Sequence, residues 1–364
     1  MEPIEPQGHE TIVQAQVAPQ AADPPGYYPP QRRGRGGGLL LFFILILVIA
    51  LGCSFLLNLA LLANQTPSRP GRALQEEYIA HDKFQTGTDK VAIVSVNGAI
   101  LGYEGYLKQQ IDQASADEHV KAVVLRIDSP GGTVSASDYY YHHLSRLRTE
   151  SGKPIVVSMG AIAASGGYYV SMAAGPNEKT VFAEPTTFTG SIGVVIPHYN
   201  FSGLLDQFGI EEDSVASHRL KTMGSLAREM TEEERAIFQQ LVDEGFARFK
   251  AIIRANRPTF QDDGEALEKL ATGQIFTAEQ AKRAGLVDEI GFLEEAVDRA
   301  IELAGLDRNN VQVIRYKRTL GLGSLLLGAN ARGRAFNLAQ MIDLSAPRPY
   351  YLATQLPLLV RSGD

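Results

Sequence analysis

Cysteine is almost missing from this chain: Cys53 stands alone, so no internal disulfide and no cysteine-based metal cluster can form. Histidine is also scarce, and the seven present are scattered without a His-Glu-x-x-His pair or any similar ligand pattern. No metal site is expected. Phosphate-cradling motifs are lacking too: there is no G-x-x-x-x-G-K-[ST] and no G-x-G-x-x-G that follows a strand and opens a helix. No cofactor is therefore expected. With 34 basic against 41 acidic residues, a net charge of -7 and no dense basic face at either end, nucleic-acid binding is disfavoured. No internal repeat at a fixed period appears, which sets aside solenoids and propellers. What is present is ordinary globular material: 364 residues, 45% hydrophobic and 21% charged, about two domains' worth of length.

One more absence locates the chain. From Gly36 to Ser68 no residue is charged, and Leu39 to Ala63 is almost entirely Leu, Ile, Val, Phe and Ala. At ~1.5 Å rise per residue that run can cross a ~30 Å hydrocarbon layer, so a transmembrane helix is expected over 39–63. Arg32, Arg33 and Arg35 precede it, whereas Arg69 and Arg72 beyond it are balanced by Glu76 and Glu77. That bias puts the N-terminus in the cytoplasm and the rest outside the cell membrane, a single pass. The run is too long and starts too late for a cleaved signal peptide. A lipidation site at Cys53 is disfavoured because apolar residues continue past it, which suits a thiol facing lipid or another helix. Residues 1–38, rich in Pro, Gln, Gly and Ala, read as a disordered cytoplasmic tail.

After a polar stalk (64–89) the pattern changes. Val91 to Val96, Ala122 to Ile127 and Pro154 to Ser158 read as strands, and Leu107 to Ser115, Ser135 to Thr149 and Ser165 to Ala174 as the helices between them. This βαβα order implies an α/β domain with a largely parallel sheet. Thr231 to Glu234 fits a capping box opening a long helix to about Ala255, with Ile237, Leu241, Phe249 and Ile253 as its apolar stripe. Thr277 opens another helix that Gly285 can end, and Phe292 to Ala304 forms a third, followed by Gly305. The domain is expected over 90–315. Beyond it, 316–364 shows no clear period and reads as a tail; Tyr350 to Val360 is a candidate to pack across a neighbouring subunit or near its groove.

Two glycine-rich strand-to-helix transitions carry the chemistry. Asp128-Ser129-Pro130-Gly131-Gly132 lets backbone N–H groups face a ligand, and Ala163-Ala164-Ser165-Gly166-Gly167 sets one hydroxyl among tiny residues. A serine at a helix start is ordinarily an N-cap. Here Gly166 offers an N–H directly after it, and Gly131 or Gly132 a second, so that together they would form an oxyanion hole for acyl transfer, each donor worth roughly 3 kcal/mol. A nucleophilic serine needs a base. His142, His143, His198 and His218 are candidates, and so are lysines whose pKa burial can lower, Lys179, Lys221 and Lys250. Lys250 falls in the long helix, where a solvated face is the ordinary reading, and Lys221 in a loop of the sort that carries sites. Spacing alone does not choose among them.

Asp128-Ser129-Pro130-Gly131-Gly132, Ala164-Ser165-Gly166-Gly167-Tyr168-Tyr169, Thr189-Gly190-Ser191-Ile192-Gly193-Val194, the lysine seven residues before Arg228-Glu229-Met230-Thr231, and Gly285-Leu286-Val287-Asp288-Glu289-Ile290-Gly291 recur in this order in the signal peptide peptidase A family. From about Lys90 to Ala304 the chain resembles a short, single-repeat member. The resemblance implies a Clp protease/crotonase-like fold and a serine peptidase that hydrolyses remnant signal peptides in the membrane. It further implies Ser165 as nucleophile, Lys221 as general base, Ser191 as the serine that orients the lysine, and Gly132 with Gly166 as the oxyanion hole. It also implies a homo-oligomeric ring in which serine and lysine of one site can come from adjacent subunits. A Clp-like Ser/His peptidase and a non-catalytic peptide-binding scaffold of the same fold are the competing expectations.

Overall fold

The computed structural model describes residues 37–65, 74–79, 87–103, 105–318 and 349–353. The chain divides into two compact units, Met1–Pro67 and Ser68–Asp364. In the first unit, α1 (Gly37–Gln65) is a 29-residue helix without a charged residue, and its described side chains, Leu41 to Leu56, are all exposed. Counted over the described residues alone, no helix is long and apolar enough to cross a membrane. The tail read over 1–38 lies outside the described residues up to position 36.

The second unit runs β1 (Gln75–Tyr78), β2 (Asp89–Asn97), α2 (Tyr106–Ala116), β3 (Val120–Ser129), β4 (Gly131–Thr133), α3 (Val134–Ser151), β5 (Ile155–Ala164), α4 (Gly166–Ser171), β6 (Val181–Ala183) and β7 (Phe188–Gly190). It continues with α5 (Ser202–Gln207), α6 (Glu232–Asn256), α7 (Gly264–Leu270), β8 (Ile275–Thr277), α8 (Ala278–Arg283), β9 (Glu289–Ile290), α9 (Leu293–Leu303), β10 (Val311–Lys317) and β11 (Tyr350–Leu352). Among the described residues the main sheet has the order β1-β10-β2-β3-β5-β6-β9, with β7 pairing β5 and β8 pairing β7. β10, β2, β3, β5, β6 and β9 run parallel, as the alternation of strands and helices implies. The three strands and three helices expected up to Ala174 all form; the third helix is α4 continued by a 3-10 turn, Met172–Ala174.

Side-chain alternation splits the core in two. Val91, Ile93, Val124 and Val156 pack with Ala300 and Ile301 of α9 on one face. Ala92, Val94, Leu125 and Val157 pack with Leu144 of α3 and Tyr168 of α4 on the other. A sheet covered on both faces buries the middle of its central strands, which accounts for the apolar runs Val91–Val94, Ala122–Leu125 and Ile155–Val157. α6 opens with the expected capping box, Thr231 with Glu234, and Phe249 and Ile253 are buried. Phe238 rather than Leu241 continues the buried stripe, and Leu241 is exposed. Gly285 and Gly305 both take left-handed φ, 77° and 64°, as helix stops.

Two boundaries differ from the sequence reading. The stretch read as a stalk contributes β1, antiparallel to β10, with Glu76 ion-paired to Lys90 at 2.8 Å. The stretch read as a tail contributes the end of β10 and then β11, which pairs antiparallel with β4 of the same chain. Three residues are too few to show a period.

Candidate active site

Ser165 closes β5 and precedes α4. Its backbone is strained, with φ 54° and ψ -113°, a region that bulky L-residues avoid. The strain is held from both sides: the Ser165 N–H donates to the Gly190 carbonyl at 2.7 Å, and its own carbonyl accepts from the Tyr169 N–H at 2.8 Å. The N-cap reading does not hold, because the side chain makes no capping hydrogen bond. The residue is 1% exposed, and its buried Oγ has no hydrogen-bond partner. A strained strand-to-helix turn that presents an uncommitted hydroxyl is the geometry of a nucleophile elbow.

The glycines converge on it. The Gly131 N–H is engaged by Ser129 Oγ at 3.1 Å; the candidate donor from this turn is Gly132, which β4 pairs opposite Tyr351 of β11. A Cβ built on Gly166 would lie 3.0 Å from the Gly132 nitrogen, and one built on Gly131 would lie 2.7 Å from the Gly166 nitrogen. Gly166 is the first residue of α4, so its N–H has no partner within the helix. Two main-chain donors thus stand side by side next to Ser165, and no side chain fits between them. Ser137 of α3, which the sequence reading passed over, adds a second buried hydroxyl without a partner, 2.5 Å from a Cβ built on Gly166. Its signal was available: it lies one helical turn past the Gly131-Gly132 turn.

Ser191 follows β7, whose register sets Ala164 beside Gly190. Ser191 also has a left-handed φ, 49°, fixed by its N–H donating to Gln274 at 2.7 Å. The two serines therefore flank one register pair. Neighbouring contacts stiffen this end of the sheet: Thr189 Oγ1 donates to Ala163 at 2.6 Å, and Tyr169 donates to Asp138 at 2.6 Å, which also receives Arg248 of α6. Burial and the Asp138 carboxylate together push the Tyr169 phenol far above its ordinary pKa.

Lys221 is not brought to Ser165 by a hydrogen bond within this chain. It is exposed in a 3-10 turn, Arg219–Thr222, which Arg228 ties down by donating to the Thr222 carbonyl at 3.1 Å and to Glu234 at 2.9 Å. Of the other lysines, Lys250 is committed to Glu268 at 2.8 Å. Lys179 precedes β6, whose register pairs Val181 with Val157, so it lies toward the N-terminal end of β5, the opposite end of that strand from Ser165. None of the four histidines bonds to Ser165 Oγ. His198 Nε2 meets the Ser225 carbonyl at 3.3 Å, His218 Nδ1 accepts from Leu220, and His142 and His143 stack edge to face on α3.

A buried elbow serine beside paired backbone donors on an α/β sheet is apparatus for acyl transfer, the class of the serine hydrolases. The sequence comparisons narrow that class. The model of Peptidase family S49 matches residues 148–307. The candidate signal peptide peptidase SppA of Enterococcus faecium is 33% identical over 72% of this chain and 80% of its own length. Protease 4 of Salmonella typhi is 36% identical over 59% of this chain, which spans 35% of that relative's length. The chain belongs to peptidase family S49, a family of serine peptidases. Among solved structures, a Listeria monocytogenes ClpP1 variant covers 56% of this chain and 94% of its own, at 17% identity and a TM-score of 0.36.

Proposed function

We propose that this chain is a membrane-anchored serine endopeptidase that uses a Ser/Lys dyad to hydrolyse remnant signal peptides and other apolar peptides. The observation that carries the reading is Ser165: a strained, buried residue with a free hydroxyl beside the Gly132 and Gly166 N–H groups. In the reaction the neutral Lys221 amine takes the Oγ proton as Oγ attacks the substrate carbonyl. The two N–H groups stabilise the resulting oxyanion. The lysine then protonates the leaving amine, and water, deprotonated by the same lysine, releases the acyl group from Ser165. Ser191 aims the amine.

Lys221 is proposed to come from a neighbouring subunit of a homo-oligomeric ring. Its turn sits in a stretch whose large apolar side chains are exposed in the single chain, including Tyr199, Leu204, Phe208, Ile210 and Val215. A second copy covering that patch would also dry the amine, and burial is what lowers a lysine's pKa. The anchor reading rests on the uncharged 29-residue α1, with Arg32, Arg33 and Arg35 ahead of it setting a cytoplasmic N-terminus and an extracytoplasmic catalytic domain.

The test is complementation. Ser165→Ala and Lys221→Ala each abolish cleavage of an apolar peptide while the fold and assembly persist. When the two inactive proteins are assembled in equal amounts, a site sharing both residues between neighbours is complete in about a quarter of cases, and about a quarter of the parent activity returns. No recovery in mixed rings confines the dyad to one subunit. Activity retained by either single variant refutes it.

A further inference from the structure

Lys221 is free at its tip and held at its base. Among the described residues no hydrogen bond and no ion pair engages its ammonium. The 3-10 turn that carries it, Arg219–Thr222, buries none of its residues. A turn of four residues has few bonds of its own: the Lys221 N–H donates to the His218 carbonyl at 2.9 Å, and the Met223 N–H to the Leu220 carbonyl at 3.2 Å. A general base has to be held to within about 0.5 Å of its productive position. Those bonds leave the turn without a tie to the core.

Arg228 supplies the tie. Its Nη1 and Nη2 donate to the two oxygens of Glu234 at 2.9 and 2.5 Å, and Nη2 also donates to the Thr222 carbonyl at 3.1 Å and to Thr222 Oγ1 at 3.3 Å. Thr222 directly follows Lys221. Glu234 is 3% exposed and accepts the Thr231 N–H at 3.0 Å in the capping box of α6, the helix that carries Phe249 and Ile253 into the core. One continuous path therefore runs from the core through α6, Glu234 and Arg228 to the residue beside Lys221. A second pair, Arg219 with Glu233, also joins the turn to α6. Both of its side chains are exposed, and such pairs are worth about 0–1 kcal/mol. The bidentate fork on a buried carboxylate is the stronger and better-defined link. Ser225 donates to Glu212 and accepts the Ala227 N–H at 3.1 Å, which braces the loop within itself but does not reach α6.

We propose that Arg228 is a positioning residue for Lys221: by fixing the Thr222 carbonyl to the start of α6, its guanidinium sets the direction in which the lysine leaves its turn to meet Ser165. This rests on the Ser/Lys reading of the site. The substitution that isolates the role is Arg228→Lys, since an ammonium can still pair with Glu234 but lacks the planar fork that spans the carboxylate and the Thr222 carbonyl together.

Arg228→Lys and Arg228→Ala are assayed on an apolar peptide beside Lys221→Ala. Each Arg228 variant is expected to lose about tenfold or more in kcat with KM within about twofold of the parent, as a base misplaced by about 1 Å would. Arg228→Lys should keep its assembly size and melt within about 4 °C of the parent. Millimolar guanidinium should restore Arg228→Ala severalfold and leave Lys221→Ala inactive. Mixed assemblies then assign Arg228 to one partner of the dyad. Arg228→Ala mixed with Ser165→Ala, which brings an intact lysine turn, should regain about a quarter of the parent activity, and mixed with Lys221→Ala should regain nothing. A kcat within about twofold of the parent in either Arg228 variant, or recovery in the mixture with Lys221→Ala, overturns the proposal. Activity retained by Lys221→Ala removes the dyad itself, and with it the role given to Arg228.

Discussion

Gly166→Ala separates the donor pair from the rest of the site. The new methyl would stand 2.5 Å from Ser137 Oγ, 3.0 Å from the Gly132 nitrogen and 3.1 Å from Gly131 Cα. The hydroxyl can rotate away cheaply, but the two backbone atoms must retreat by a few tenths of an ångström, and Gly132 is fenced behind by the Ile100 carbonyl. A retreat takes the Gly132 N–H off its target. Complete loss of one oxyanion donor costs about 2.7–4 kcal/mol, or 10²–10³ in kcat, and a partial displacement is expected to give a 10- to 100-fold fall with KM little changed. Stability moves less. Alanine gains about 1 kcal/mol over glycine in a helix, against about 1–3 kcal/mol for overpacking, so the melting temperature should drop by no more than about 8 °C. Initial rates on an apolar peptide and a thermal melt read the two effects apart. Adding Ser137→Gly should recover neither, because the Ser137 hydroxyl already yields, Gly132 stays displaced, and a glycine inside α3 weakens that helix. A Gly166→Ala protein with kcat within about twofold of the parent refutes the assignment of these glycines as the oxyanion hole.

Further expectations follow from contacts outside the site. Arg228 holds the Glu234 carboxyl down at about 2, against an ordinary 4.5, so this pair stabilises the fold above pH 4.5 and its contribution is lost as pH falls toward 2. Glu234→Gln should cost about 1–2 kcal/mol at pH 7, through cap and ion pair together, and urea unfolding at pH 3 should show the gap narrowed; the same gap at both pH values contradicts the pairing. Asp288 accepts the Thr180 and Val181 N–H groups at 2.9 Å and pairs with the buried Arg257 at 2.7 Å. Asp288→Ala strands that guanidinium and should cost about 3–5 kcal/mol by urea titration, with a loss below about 1 kcal/mol counting against it. Lys250→Met, which removes the Glu268 pair and the ammonium over the Phe246 ring, should keep hydrolysis within about twofold of the parent; collapse of activity would move the base away from Lys221.

The central strands were legible because a strand segment buried on both faces reads as an apolar run, as in Ala122 to Leu125, and the helices because their caps are written locally, as at Thr231 with Glu234. β1 was not, since Gln75-Glu76-Glu77-Tyr78 is polar. It is an edge strand, where charge is useful, and Glu77 pairs across to Lys317. The α6 stripe held at Phe249 and Ile253 but not in its first half, because periodicity says which face is apolar but not which part of it is covered: Phe238 is buried and Leu241 is not. The candidate nucleophile was legible from its company of small residues. What distinguishes it from an N-cap, a left-handed φ and an unbonded hydroxyl, exists only once β5 and β7 are paired.

Strain links those two strands to the chemistry. Among the described residues, the non-glycine positions with left-handed φ are Ser165, Lys179 and Ser191, and two of these three are the serines of the proposed site. Such conformations cost of order 1–3 kcal/mol each and persist only where neighbours over-determine them. β7 and the chain just before β8 do so together: the Gly190 carbonyl holds the Ser165 N–H, Thr189 clamps Ala163, and Gln274, the residue preceding β8, supplies its carbonyl to Ser191. Gly190 itself has φ 84°, with Phe276 of β8 packed where its side chain would be. The short strands after β5, too brief to be read from the sequence, are therefore the elements that hold the two hydroxyls in register, and the long apolar strands provide the rigid floor against which that strain is kept.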